Sequence, residues 1–163
     1  MQAMFKNDNF VVLWLRRVAY RLWQFKQTVL PRLDQSEWRE AVRGFSQQLR
    51  EHLNALRKSE KAHILRVYRA ICADSQFVGE QRKEVLQLAL LHDIGKAIIR
   101  SSVVLKVARV FLPIGRNDHC IAGARLLHRN GFDRKLVRRV LRHHTFEHDD
   151  ILLQKFQQID DSC

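Results

Sequence analysis

Along almost the whole chain, apolar residues recur at intervals of three and four, and β-type alternation does not extend over any useful length. That period is helical, because side chains three and four apart share one face of a helix. Only six glycines and two prolines interrupt 163 residues. The chain therefore reads as all-α, with no internal repeat and no low-complexity linker. Its length suits one domain, or one domain with a helical extension. A chain of this size hides roughly 70% of its unfolded surface and needs no disulfide or structural metal to fold. Cys72, Cys120 and Cys163 are odd in number, widely scattered and free of any Cys-x-x-Cys pair. That usage argues against a disulfide framework or a cysteine-built structural zinc site, and for a reducing cytosol.

The periodicity divides into segments. Residues 10–30 form a first helix, with Phe10, Leu13, Trp14, Val18, Leu22, Phe25 and Val29 on one face, arginines and Lys26 on much of the rest, and Pro31 as its stop. Such a helix packs across the core, or lies on an anionic membrane surface or a second subunit. The apolar run at 10–15 is too short to span a bilayer. Asp34 and Glu37 have the spacing of a capping box and open a second helix with Ala41, Phe45, Leu49, Leu53 and Leu56 as its buried stripe. A third helix runs from about Ser59 to Ala73, with His63, Val67 and Ile71 on one face. Residues 74–79 form a loop, and 80–94 form the next helix. Ser101 or Ser102 caps a short helix that ends before Pro113, and 114–117 is a loop. Asn117 or Asp118 caps the helix carrying His119, which stops at Asn130-Gly131. Asp133 caps the following helix, turning Leu136, Val137, Val140 and Leu141 inward. Asp149 or Asp150 caps the last, which ends at Asp160.

The chemistry concentrates in Leu91-His92-Asp93-Ile94-Gly95-Lys96. Adjacent His and Asp offer a neutral nitrogen and an anionic oxygen, a pair suited to a divalent metal that activates water. The apolar run before the pair sets it at the buried end of a helix, and Gly95 lets the chain turn away. Lys96 adds a cation where an anionic phosphate could be met. His63 lies upstream; His119, His143-His144 and Asp160 follow downstream.

This order and setting resemble the HD-domain superfamily of metal-dependent phosphohydrolases, over residues 58–161. The resemblance implies an all-α HD-domain helical bundle at 58–163, with residues 1–57 as an N-terminal helical extension packed on it. It implies His63, His92, Asp93 and Asp160 as metal ligands, with Asp161 as the alternative to Asp160. Two imidazoles and two carboxylates bring two negative charges to one dication. The mixed nitrogen and oxygen set suits manganese, iron, cobalt, nickel or zinc better than magnesium. His119 and Gly123 match the His-x-x-x-Gly segment of binuclear members, and His143-His144 match their double His. A second metal on His119, His143 and His144 is therefore one option. Contacts to phosphate or proton donation to the leaving group are the other. Adjacent helical residues diverge by about 100 degrees, which argues against His143 and His144 chelating one ion.

The implied function is hydrolysis of a phosphomonoester, phosphodiester or phosphoanhydride by metal-activated water. Asp93, Lys96, His119, His143 and His144 would be the catalytic groups, and Lys96 and Arg142 would meet the substrate. The pattern also looks like bacterial diadenosine tetraphosphate hydrolases, with which His144-Thr145 is compatible. The N-terminal third resembles uncharacterised bacterial HD-domain proteins. Cyclic di-GMP phosphodiesterases of the HD-GYP type carry Gly-Tyr-Pro after the double His. Here Thr145-Phe146-Glu147 follows, so that substrate is not supported. A formal charge of +12 favours anionic partners: a phosphorylated small molecule such as a nucleotide, with nucleic acid as a rival. Arg134, Lys135, Arg138, Arg139 and Arg142 either guide such a ligand or simply solvate a helix face. A cytoplasmic protein is expected, with peripheral membrane contact through residues 10–30 as a further option. The alternative to an enzyme is a non-catalytic HD module that holds a metal or nucleotide as a sensor or interaction site.

Overall fold

The computed structural model describes residues 31–99, 118–145 and 149–163. These fold into seven α-helices and one 3₁₀ turn, with no strand among the described residues. The helices are α1 (Gln35–Val42), α2 (Gln47–Ala55), α3 (Lys58–Ala73), α4 (Gly79–Leu91), α5 (Asp118–Arg129), α6 (Arg134–Arg142) and α7 (Ile151–Ser162). The 3₁₀ turn, Ile94–Ala97, follows α4. The helix and membrane contact expected at 10–30, the short helix before Pro113 and the loop at 114–117 lie outside the described residues. No helix among the described residues is long and apolar enough to cross a membrane.

Local chemistry sets most boundaries. Asp34 caps α1, accepting hydrogen bonds from the backbone N–H groups of Ser36 and Glu37. The Glu37 carboxylate does not close a capping box; it takes the Arg69 guanidinium instead. The single helix expected after Asp34 is two helices, because Arg43 caps α1 ahead of Gly44 and Ser46 restarts the helix by capping Leu49 N. Helix α5 ends at a glycine in the left-handed region, Gly131 at φ +75°. There Phe132 N–H donates to Leu127 O and closes the last turn. Asp133 caps α6 through Lys135 N, and Asp150 caps α7 through Leu153 N. Helix α7 runs past Asp160 to Ser162.

One apolar cluster joins the helices. Trp38 and Val42 of α1 and Leu49 and Leu53 of α2 pack in the same core as Ile64 and Ile71 of α3, Leu88 and Leu91 of α4, and Phe156 of α7. Trp38 is buried, and its indole N–H donates to Asn54 Oδ1 at 2.9 Å. On α6, Leu136 and Val140 are buried, whereas Leu141 is exposed rather than turned inward.

Two devices bring the second half of the chain onto the first. The 3₁₀ turn lies against α5 with almost no space between the backbones. A Cβ at Gly95 would lie 1.8 Å from the His119 carbonyl oxygen and 2.6 Å from Gly123 N. Gly95 does not use the left-handed freedom of glycine: the glycines with positive φ among the described residues are Gly79 and Gly131. Its lack of a side chain permits contact instead. The second device is an ion cluster. Arg139 of α6 donates to Asp150 Oδ2 at 2.7 Å and to Glu84 Oε2 of α4 at 2.7 Å. Within the basic helix, Arg139 is thus a tie between elements and not part of a solvated face.

Gly95→Ala is expected to cost about 3 kcal/mol, since backbone must move to admit the methyl group. Gly123→Ala, whose Cβ would meet Gly95 N at 3.2 Å, should cost less, because alanine regains helix propensity. Urea unfolding midpoints test this order, and equal midpoints would refute the close approach. The Arg139 partnership holds the Asp150 carboxyl below its ordinary value, against the upward push of burial. Its stabilisation is therefore present above the unfolded value of about 4 and fades as pH falls through the lower folded value. Asp150→Asn keeps a capping oxygen but loses the charge. It should be about 1 kcal/mol less stable at neutral pH, and the gap should close below about pH 4. A gap independent of pH would show that the charge is not what matters.

Candidate metal centre

The cluster forms where α4 ends. The last helical residue is Leu91, His92 is its cap, and Asp93 leads into the 3₁₀ turn. The pair therefore stands just beyond the helix and not within it. Both residues are buried. His92 Nδ1 donates to Ala89 O at 2.9 Å, which fixes the ring and leaves Nε2 facing the cluster. Phe156 of α7 packs its ring edge to face with His92, at 5.3 Å between centroids.

Helix α3 contributes His63 and helix α7 contributes Asp160. His63 Nε2 lies 2.9 Å from Asp160 Oδ1, across 97 residues of sequence. The same Asp160 oxygen is 3.5 Å from His92 Nε2, and Asp93 Oδ2 is also 3.5 Å from that nitrogen. Asp161 is exposed, so of the two carboxylates Asp160 is the one that faces the histidines. One ligand atom each from His63, His92 and Asp160 lies within 4.8 Å of the others.

A second group faces the other oxygen of Asp93. His119 Nε2 and His143 Nε2 lie 3.6 and 3.7 Å from Asp93 Oδ1. His143 repeats the arrangement of His92: its Nδ1 donates to Val140 O at 2.7 Å, leaving Nε2 toward the site. His144 was expected to diverge from His143. Instead α6 has already ended at Arg142, and the two rings lie with centroids 4.0 Å apart. Gln157 of α7 braces this turn, donating to the carbonyls of His143 at 3.0 Å and Thr145 at 2.8 Å. Sequence reasoning passed over Gln157, although its position three residues before Asp160 places both on one face of α7. Cys120, in the sequence one of three scattered cysteines, also joins this group.

The electrostatics favour a cation. Burial pushes the Asp93 carboxyl up, but His92 and Lys96 together hold it well below the usual carboxylate range. Burial likewise opposes ionisation of Asp160, yet His92 and the His63 hydrogen bond bring it down to about 2. Burial lowers His92, and the charges of Asp93 and Asp160 outweigh it, so the net direction is upward. Two anions thus draw a positive charge onto the imidazole between them. His119 and His144 are held down to about 4, chiefly by burial, which keeps both neutral and able to donate a lone pair. Burial raises the Cys120 thiol to about 11. Lys96 Nζ sits 2.5 Å from Asp93 Oδ2, so this lysine pairs with the carboxylate; a third of its side chain remains open. Arg142 is half-buried at the end of α6, directly before His143.

Among the described residues, three buried side-chain polar atoms lack a hydrogen-bond partner: His92 Nε2, Asp93 Oδ1 and His143 Nε2. Each such atom ordinarily costs about 1–3 kcal/mol. His92 Nε2 faces Asp160 at 3.5 Å, and His143 Nε2 faces Asp93 Oδ1 at 3.7 Å; imidazole nitrogen beside carboxylate oxygen is the donor chemistry of a divalent transition metal, so the residues fit one.

The family model for the HD domain matches residues 60–161. No curated protein and no solved structure matches the chain. The matched span holds every residue of both groups.

If Asp160 is a ligand, Asp160→Ala purified and dialysed beside Asp161→Ala should retain clearly less divalent metal by elemental analysis. Equal retention would remove Asp160 from the set.

Proposed function

The chain belongs to the HD-domain family, and from that premise we propose that it is a phosphohydrolase that uses a divalent metal to activate water. The observation that carries this reading is the trio of buried, partnerless atoms on His92, Asp93 and His143. His63, His92, Asp93 and Asp160 would hold the metal, which when bound supplies Lewis acidity to a phosphate oxygen and acidifies water.

The protein's own groups have separable tasks. The carbonyls of Ala89 and Val140 fix the tautomers of His92 and His143, so each ring meets the site with a lone pair. Asp93 faces both groups of histidines, one oxygen to each. Lys96, anchored on Asp93 and partly open, would neutralise charge on the phosphoryl group. His119 and His144, both weakly basic, would bind a second metal or contact the phosphate, and Arg142 would extend that contact outward. A phosphorylated small molecule such as a nucleotide is the substrate class we favour, and the overall charge of +12 supports an anionic one.

Purified protein supplied with manganese or cobalt, screened against phosphate esters and nucleotides, should show turnover that disappears in His92→Ala and in Asp93→Ala. Lys96→Met should lower kcat/KM by roughly a hundredfold while metal content is unchanged. Metal and nucleotide binding without turnover would make this a sensor module. Binding of nucleic acid that falls steeply with salt and survives His92→Ala would replace the enzymatic reading with an electrostatic one.

A further inference from the structure

Cys120 sits beside His119 on the first turn of α5 and is fully buried. A buried free cysteine is ordinarily a small apolar side chain in a core. This one does not belong to the apolar cluster that joins the helices. Its surroundings are imidazoles. The ligand atoms offered by His119, Cys120, His143 and His144 all lie within 4.8 Å of one another. The distance from Cys120 Sγ to His119 Nε2 is 3.5 Å. Two ligands of one tetrahedral zinc, with Zn–S near 2.3 Å and Zn–N near 2.0–2.1 Å, stand about 3.6 Å apart.

A second observation points the same way. His143 Nε2 is buried and has no hydrogen-bond partner, while the other nitrogen of the ring is taken by Val140. Asp93 Oδ1, also without a partner, faces the same histidines. An open nitrogen and a thiol therefore meet in one place, with an open carboxylate oxygen 3.6 and 3.7 Å from two of the imidazoles.

We propose that Cys120 is a metal ligand, and that with His119, His143 and His144 it forms a thiolate-containing subsite for a thiophilic dication of the zinc class. Asp93 stands between this subsite and the His63–His92–Asp160 group, one oxygen toward each. The two subsites then differ in kind. The first offers nitrogen and oxygen and accepts manganese or iron. The second adds sulfur, which discriminates for zinc or cobalt over manganese and magnesium. Coordination exchanges the thiol proton for the cation, and the proton passes to the buffer. This inference rests on the metal reading of the same centre, yet it fails separately from it.

Metal-free full-length protein titrated with Co²⁺ supplies the test. Bound cobalt is reported by its visible ligand-field bands, and a cobalt–thiolate bond adds a charge-transfer band in the near ultraviolet. That band is expected in the wild type and in the Cys72→Ser/Cys163→Ser double variant, and it is expected to be lost in Cys120→Ser. Ligand-field bands with no charge-transfer band, or a band that survives Cys120→Ser, overturns the thiolate subsite and leaves the metal centre standing. No cobalt binding at all overturns both. Should Cys120→Ser fail to fold, X-ray absorption of the zinc-loaded wild type decides: a sulfur neighbour at about 2.3 Å is expected, and a shell of nitrogen and oxygen alone refutes the proposal.

Discussion

Asp93 is a carboxylate with 1% of its surface exposed, set directly after a helix whose last turn is wholly apolar. Removing such a charge from water costs several kcal/mol unless partners surround it. Here the partners come from three directions. Lys96 pairs with Oδ2 at 2.5 Å, His92 approaches the same oxygen at 3.5 Å, and His119 and His143 face Oδ1. The end of α4, the 3₁₀ turn and the facing ends of α5 and α6 all meet at this one side chain. Asp160 joins from α7 through His92. The fold can be understood as the packing that makes a buried anion tolerable.

That packing needs two backbones closer together than side chains allow. Gly95 and Gly123 let the 3₁₀ turn and α5 touch, and the contact carries His119 to within reach of Asp93. Gln157 does for the double-histidine turn what the glycines do for His119. Its amide ties carbonyls after α6 to α7, so His143, His144 and Asp160 are held by one helix pair. The positions of the ligand atoms follow from these constraints and not from the ligands themselves.

The helical class was legible from the spacing of apolar residues, and capping by Asp34 and Asp133 from short-range chemistry alone, whereas Asp149 and Asp150 stood as alternatives until the structure showed Asp150. Of the set expected from the family pattern, His63, His92 and Asp160 offer ligand atoms within 4.8 Å of one another, and Asp93 Oδ2 lies 3.5 Å from His92 Nε2. What was hidden depends on contacts between distant segments. Nothing local says that Gly95 meets a carbonyl of residue 119, or that Arg139 finds Glu84 55 residues away. The break between α1 and α2 was missed because the apolar stripe continues across it, and helical period carries no information about a change of axis. The rings of His143 and His144 were expected to diverge because the helical pattern extends two residues too far, to His144 where the helix ends at Arg142. A helix end is the least certain thing a periodic pattern supplies.

The charge inside the centre explains why a cation belongs there. Asp93 and Asp160 contribute two negative charges and Lys96 one positive, leaving −1 before any proton or metal is added. The pull of those two carboxylates on positive charge outweighs burial and accounts for the upward direction of the His92 imidazole. A proton on that ring does nothing for Asp93 Oδ1 or His143 Nε2, which stay without partners. A dication in the His63–His92–Asp160 group would take up His92 Nε2, and one in the second group would take up Asp93 Oδ1 and His143 Nε2. The cost of burying them is then recovered as binding energy, and stability becomes linked to metal concentration.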